Sequence, residues 1–89
     1  MNVAFKKSFL KDLKKLRDKQ LKNSIAKTIE EVEAAKELTQ IKNLKKMEGY
    51  NSFYRIRIGD YRIGLQIETE NLVYFVAFDH RKDIYRHFP

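Results

Sequence analysis

The sequence predicts an α+β domain in which a short amino-terminal strand and two antiparallel helices precede an antiparallel sheet that ends in a three-stranded meander. Three observations lead there. Apolar residues recur every three to four positions up to about Leu38, they alternate every second position from Tyr54, and no Pro/Gly/Ser-rich stretch separates the two regimes. Eighty-nine residues suffice for one domain and not for two, so residues 1–89 are read as a single unit with a modest core.

The opening "NVAFK" turns Val3 and Phe5 the same way and predicts a short strand. Ser8 is a candidate helix cap, after which Phe9, Leu13 and Leu16 form one apolar face opposite Lys11, Lys14, Lys15 and Asp12. A break is expected near Lys19-Gln20. Leu21, Ile25, Ile29, Val32 and Ala35 then carry a second helix to about Leu38. The segment "TQIKNLKKMEGYNS" is transitional, with Ile41, Leu44 and Met47 as core contacts and Gly49 in a turn. "FYRIRIGDYRIGLQI" reads as two strands joined at Gly59-Asp60, a two-residue turn with glycine first, and its core face is Tyr54, Ile56, Ile58, Tyr61, Ile63, Leu65 and Ile67. "ETEN" makes the next turn, and the apolar run "LVYFVAF" suits a strand covered on both faces.

Composition narrows the function classes. The chain has no cysteine, which excludes disulfides and thiolate metal sites, and its two histidines argue against a zinc centre. No apolar run approaches the roughly 20 residues that span a bilayer, no signal-peptide core opens the chain, and a cytoplasmic location without membrane attachment is expected. There is no glycine-rich nucleotide loop and no Gly-x-Ser-x-Gly elbow, so no small-molecule cofactor is expected. The formal charge of +7 favours a polyanionic or acidic partner. Its distribution says more: twelve of thirteen lysines precede residue 50, whereas five of six arginines follow it. Lysine is a hydrated point charge, and arginine is a planar fork suited to phosphate or carboxylate.

Those arginines gather on one face. The apolar alternation fixes the hairpin register, because a one-residue slip would turn its core face to water. Arg55, Arg57 and Arg62 therefore project together, with Arg57 opposite Arg62, a like-charge pairing that folding alone disfavours. Gly64, opposite Arg55, leaves a gap beside them that a ligand's backbone-close approach could use. A socket for phosphates is one reading of this face, and a salt-bridge network with carboxylates such as Glu68 is the other.

The tail "FDHRKDIYRHFP" adds His80 and Arg81 at the exit of the last strand, and one helical turn brings Tyr85 to the side of Arg81. Metal-free RNA cleavage needs a base for the ribose 2′-hydroxyl, cations for the charge that builds on phosphorus, and an acid for the departing 5′ oxygen. Histidine is the ordinary proton carrier near neutral pH, tyrosine serves where cations favour its anion, and arginine stabilises without transferring protons. His87 is read as incidental.

The element order together with "YRIRIGDYRIGLQI", "LVYFVAF" and "HRKDIYR" resembles the RelE/ParE superfamily of toxins from type II toxin–antitoxin systems, over essentially the whole chain. For the RelE branch the resemblance implies ribosome-dependent cleavage of messenger RNA by 2′-hydroxyl attack, giving a 2′,3′-cyclic phosphate, and inhibition by a cognate antitoxin with an acidic, amphipathic segment. It also implies site residues: Arg62, Arg81 and Tyr85 take catalytic positions, and Arg55 and Arg57 grip phosphates. His80, read from the residues themselves, is the competing base or the acid for the leaving oxygen. Some relatives carry lysines where this chain has Arg55 and Arg57, and arginine there cannot transfer protons. Lys11, Lys14 and Lys15 are expected to rest on ribosomal RNA phosphates. A ParE-like gyrase inhibitor and a catalytically silent antitoxin-binding module are the alternatives.

Overall fold

The computed structural model describes residues 1–69 and 71–89, so the expected turn at residues 68–71 includes one position outside the described residues. Five strands and two helices follow in the order β1 (Asn2–Phe5), α1 (Lys7–Lys14), α2 (Lys19–Ala34), β2 (Leu44–Lys46), β3 (Phe53–Ile58), β4 (Tyr61–Thr69) and β5 (Leu72–His80). Short 3-10 turns occupy Leu38–Gln40 and Ile84–Arg86.

The strands form one sheet in the order β1-β5-β4-β3-β2. The meander β3-β4-β5 is antiparallel as expected, but β1 pairs parallel with β5, so the sheet is mixed rather than antiparallel. β2, read from the sequence as a transitional segment, pairs with the outer side of β3, so the edge of the meander left for β1 is β5.

Helix boundaries differ from the expectation at both ends of α2. Asp18 caps it, its Oδ1 accepting from the N–H groups of Gln20 (3.0 Å) and Leu21 (3.1 Å), so the break falls before Lys19. The helix stops at Ala34, because Ala35 is extended and buried in the core. Ser8 is not a cap either. It lies inside α1, whose capping residue Lys6 makes no side-chain hydrogen bond.

What Ser8 does instead shapes the sheet. Gly64 pairs with Ala77 but Leu65 with Phe75, so Val76 is an extra residue in β5. This bulge reverses the strand's phase. Val73 and Phe75 face the helices before it and Phe78 faces them after it, while Ala77 and Asp79 turn to the opposite side. The Ser8 hydroxyl donates to the Val76 carbonyl, and the Phe78 N–H donates to Asp12 Oδ2 at 3.0 Å. Ser8 and Asp12 stand one turn apart on α1, so a single helix face satisfies the backbone groups that the bulge releases from the ladder.

Two apolar clusters flank the sheet. On the helix side Phe9, Ile25 and Val32 meet Ile63, Leu65 and Phe75. Side chains of this size contribute roughly 1.5–3 kcal/mol each when fully buried. On the other side a smaller cluster joins Ala77, Ile84 and Phe88 to Met47, Phe53 and Val76. β5 is thus covered on both faces, as its composition requires. Phe5 departs from the expected pattern, remaining 42% exposed although its ring stacks on Phe9.

Candidate active site

The hairpin carries the first cations. Ile58 pairs with Tyr61 across a two-residue turn in which Gly59 takes φ 55°, a left-handed conformation that favours glycine. Arg57 pairs with Arg62 and Arg55 with Gly64, as the register demands. The like charges are relieved because their side chains part company. Arg62 Nη1 donates to the carbonyls of Gly59 and Tyr61, both at 2.9 Å. Arg57 is exposed over a separate depression between α2 and β3, beside Lys27 and Lys42.

Arg55 is positioned by β2. Lys45 pairs directly with it, and Arg55 Nη1 donates to the Asn43 carbonyl at 2.9 Å. Asn43 adopts φ 63°, a conformation that asparagine tolerates better than most residues. Backbone carbonyls, not carboxylates, orient Arg55 and Arg62.

The tail supplies the other wall. Arg81 N–H donates to the Asp60 carbonyl at 2.8 Å, which ties the exit of β5 to the hairpin turn. Its guanidinium Nε stands 3.9 Å from Asp60 Oδ1, a solvent-exposed pair of small energetic value that leaves the fork available to an anion. In the following 3-10 turn Ile84 points inward, and Tyr85 stays 48% exposed at the rim.

These groups bound an open cleft of about 550 Å³. Six cationic side chains line it, Arg55, Arg62 and Arg81 together with Lys45, Lys46 and Lys82, and Glu48 is the sole carboxylate among the lining residues. Tyr85 and Met47 complete it. The surplus of positive charge over one surface concentrates anions there and makes a bidentate phosphate grip available at three points. Sequence reasoning missed Lys45, Lys46 and Lys82. The signal for Lys45 was the pairing of β2 with β3, and a three-residue strand is too short to announce itself by alternation.

Several expectations are corrected. Arg57 lies outside the cleft. His80 projects to the helix side of the sheet, its ring against the edge of Tyr61 at 5.3 Å and its Nδ1 accepting from the Lys82 N–H at 3.1 Å. The sheet separates it from the cleft, because Asp79, one residue earlier, already faces the arginine side. Lys11 and Lys14 on α1 and Lys15 at its C-cap are exposed, as their place opposite the apolar face predicts, in the helical layer across the sheet from the cleft. Gly64 does not leave an open gap: the Phe88 ring fills it, and a Cβ built there would lie 2.7 Å from two ring carbons. His87 is not incidental, since its Nε2 meets Asp79 Oδ2 at 3.0 Å.

The equilibrium of the Asp79 carboxyl is displaced by its surroundings. Partial burial pushes its carboxyl up, but the His87 hydrogen bond, the His80 backbone N–H and the charges of both imidazoles outweigh burial and hold it below the ordinary 3.8. No three His, Asp or Glu side chains gather as metal ligands among the described residues.

The chain is thus a small basic sheet backed by two helices on one face and bearing a cation-lined cleft on the other. The chain resembles that of the RelB–RelE antitoxin–toxin complex from Methanococcus jannaschii with a TM-score of 0.79 and 38% identity, covering 96% of this chain and 98% of that one. The RelBE2 complex from Mycobacterium tuberculosis shares the fold at a TM-score of 0.70 and 23% identity over 92% of each chain. In sequence, the chain is 40% identical to Toxin RelE3 of Methanocaldococcus jannaschii over the full length of both. The family described as ParE toxin of type II toxin–antitoxin system, parDE, matches residues 3–85. The chain belongs to the RelE/ParE superfamily of type II toxins.

Proposed function

We propose that this toxin is a ribosome-dependent endoribonuclease that cuts messenger RNA by attack of the ribose 2′-hydroxyl on the adjacent phosphorus. The observation that carries the reading is the convergence of Arg55, Arg62 and Arg81 on one cleft with Tyr85 at its rim. Tyr85, acting as its phenolate among the cleft's cations, takes the 2′-hydroxyl proton, the 2′ oxygen bonds to phosphorus as the P–O5′ bond breaks, and the products are a 2′,3′-cyclic phosphate and a free 5′-hydroxyl. Arg81 holds the scissile phosphate, while Arg55 and Arg62 balance its growing charge. Guanidinium groups keep their protons, so the proton for the 5′ oxygen comes from an ammonium of Lys45, Lys46 or Lys82, or from the Tyr85 hydroxyl once it has received the 2′ proton. Positioned proton transfer accounts for about 10²–10⁴-fold, and prearranged charge is typically the larger contribution.

A cognate antitoxin completes the system. Relatives of this fold occur as antitoxin–toxin complexes, and a partner with an acidic amphipathic segment suits a protein of charge +7. Purified protein added to a cell-free translation system is expected to leave messenger RNA cut within codons, mapped by primer extension. Arg81→Ala and Tyr85→Phe are each expected to slow cutting by about 100-fold or more. Arrested translation with intact messenger would overturn the nuclease reading. Double-strand breaks that appear only with DNA gyrase present would instead favour the gyrase-directed activity that the ParE description raises.

A further inference from the structure

The tail that carries Tyr85 is held to the sheet in an unusual way. Arg81 N–H reaches the Asp60 carbonyl, and beyond it the backbone hydrogen bonds among the described residues stay local: Asp83 to His80, Arg86 to Asp83, and His87 and Phe88 to Ile84. No ladder extends the tail onto the sheet. Its attachment comes from side chains. Ile84 and Phe88, four residues apart, are both fully or nearly fully buried in the small cluster on the arginine side of the sheet. Phe88 occupies the space over Gly64 and meets Phe53 edge-on at 5.6 Å. His87 closes onto Asp79 at 3.0 Å.

We infer that Phe88, seated over Gly64, and His87, bonded to Asp79, form a two-point clamp that positions Tyr85 for the cleavage step. Tyr85 lies between the clamp and Arg81 in the chain, and its own side chain is half exposed, so its placement is inherited from residues on either side. Gly64 has a role that its position opposite Arg55 does not suggest: it is the seat of an aromatic ring. Any side chain there displaces Phe88, since even a methyl group would come within 2.7 Å of the ring. Phe88 and His87 are positioning residues. A misplacement of about 1 Å at a reacting group costs on the order of 10²-fold, which sets the size of effect to look for.

The inference rests on the nuclease reading for its kinetic test, so the experiment includes a readout that does not. Phe88→Ala, Phe88→Leu, Gly64→Ala, Tyr85→Phe and the Tyr85→Phe/Phe88→Ala double variant are compared in the translation assay, and backbone ¹⁵N relaxation is measured at Tyr85 and Arg86. Phe88→Ala and Gly64→Ala are expected to lower the rate at saturating ribosomes about 10- to 100-fold, with the half-saturating ribosome concentration moved less than about threefold. Phe88→Leu should restore most of the rate. The double variant should be no slower than Tyr85→Phe alone, because a residue acting through Tyr85 has nothing left to act on. The Tyr85 and Arg86 amides should gain fast motion in Phe88→Ala while the sheet amides keep theirs. A double variant that multiplies the two single losses overturns the clamp, as do tail amides equally ordered with and without the Phe88 ring. If the unaltered protein cuts no messenger, the nuclease reading falls and the amide measurement alone decides the clamp.

Discussion

Asp79 is where the chemistry of one residue reaches furthest. Its carboxylate joins the last strand to His87, and the folded state holds its equilibrium below 3.8. A carboxyl group depressed by folding contributes stability that is present above its unfolded value and is lost as pH falls through its folded value. Asp79→Asn is therefore expected to melt below the parent protein at pH 6, and the difference should shrink as pH falls below 3.8 and through the lowered folded value. Thermal melts across that range check this, and a gap that persists unchanged at acid pH would contradict it. The side chain is 38% exposed, so solvent screening keeps the effect small.

At the scale of elements, α1 does more than cover the core. It receives both backbone groups released by the bulge in β5, and Asp12 is the acceptor for a nearly buried N–H at Phe78. Asp12→Ala leaves that donor without a partner and is expected to cost about 1–3 kcal/mol, whereas Asp12→Asn retains an oxygen and should cost less. Urea denaturation of the three proteins gives the comparison, and an alanine variant as stable as the parent would show that the Phe78 N–H does not depend on Asp12. The hairpin β3-β4 was legible in the sequence because strict alternation and a two-residue turn each fix the register and agree. The bulge was not, since every position of "LVYFVAF" is apolar and a continuous apolar run carries no phase to read. Asp12 consequently read as one of the polar residues opposite the apolar face of α1, and Ser8 as a cap. The cleft was half legible for the same reason. Arg55 and Arg62 follow from the hairpin and Arg81 and Tyr85 from the tail, but Lys45 depends on an edge strand too short to show a period. Phe88 stands alone after polar residues, with nothing in its spacing to indicate the glycine it covers.

Across the whole molecule, positive charge is divided between two layers. Three arginines and three lysines line the cleft, while Lys11 and Lys14 on α1 and Lys15 at its end lie across the sheet from it. Contacts from the helical layer can add to affinity for an RNA surface without touching the phosphate being cut. Replacing Lys11, Lys14 and Lys15 by glutamine is expected to weaken ribosome binding and to reduce the slope of log affinity against log salt by roughly two to three, if each meets one phosphate. Binding measured between 50 and 200 mM salt tests this, and an unaltered slope would place α1 away from the ribosomal RNA.

The parallel pairing of residues 2–5 with residues 72–75 has a consequence for biosynthesis. The first strand emerges early and waits for a neighbour that is translated near the end, and Arg81 and Tyr85 come later still. An interrupted polypeptide that stops before β5 has no edge on which to seat β1, no floor beneath α1 and no second wall for the anion cleft. The cation-lined cleft is therefore complete only when the last strand and the tail have been made.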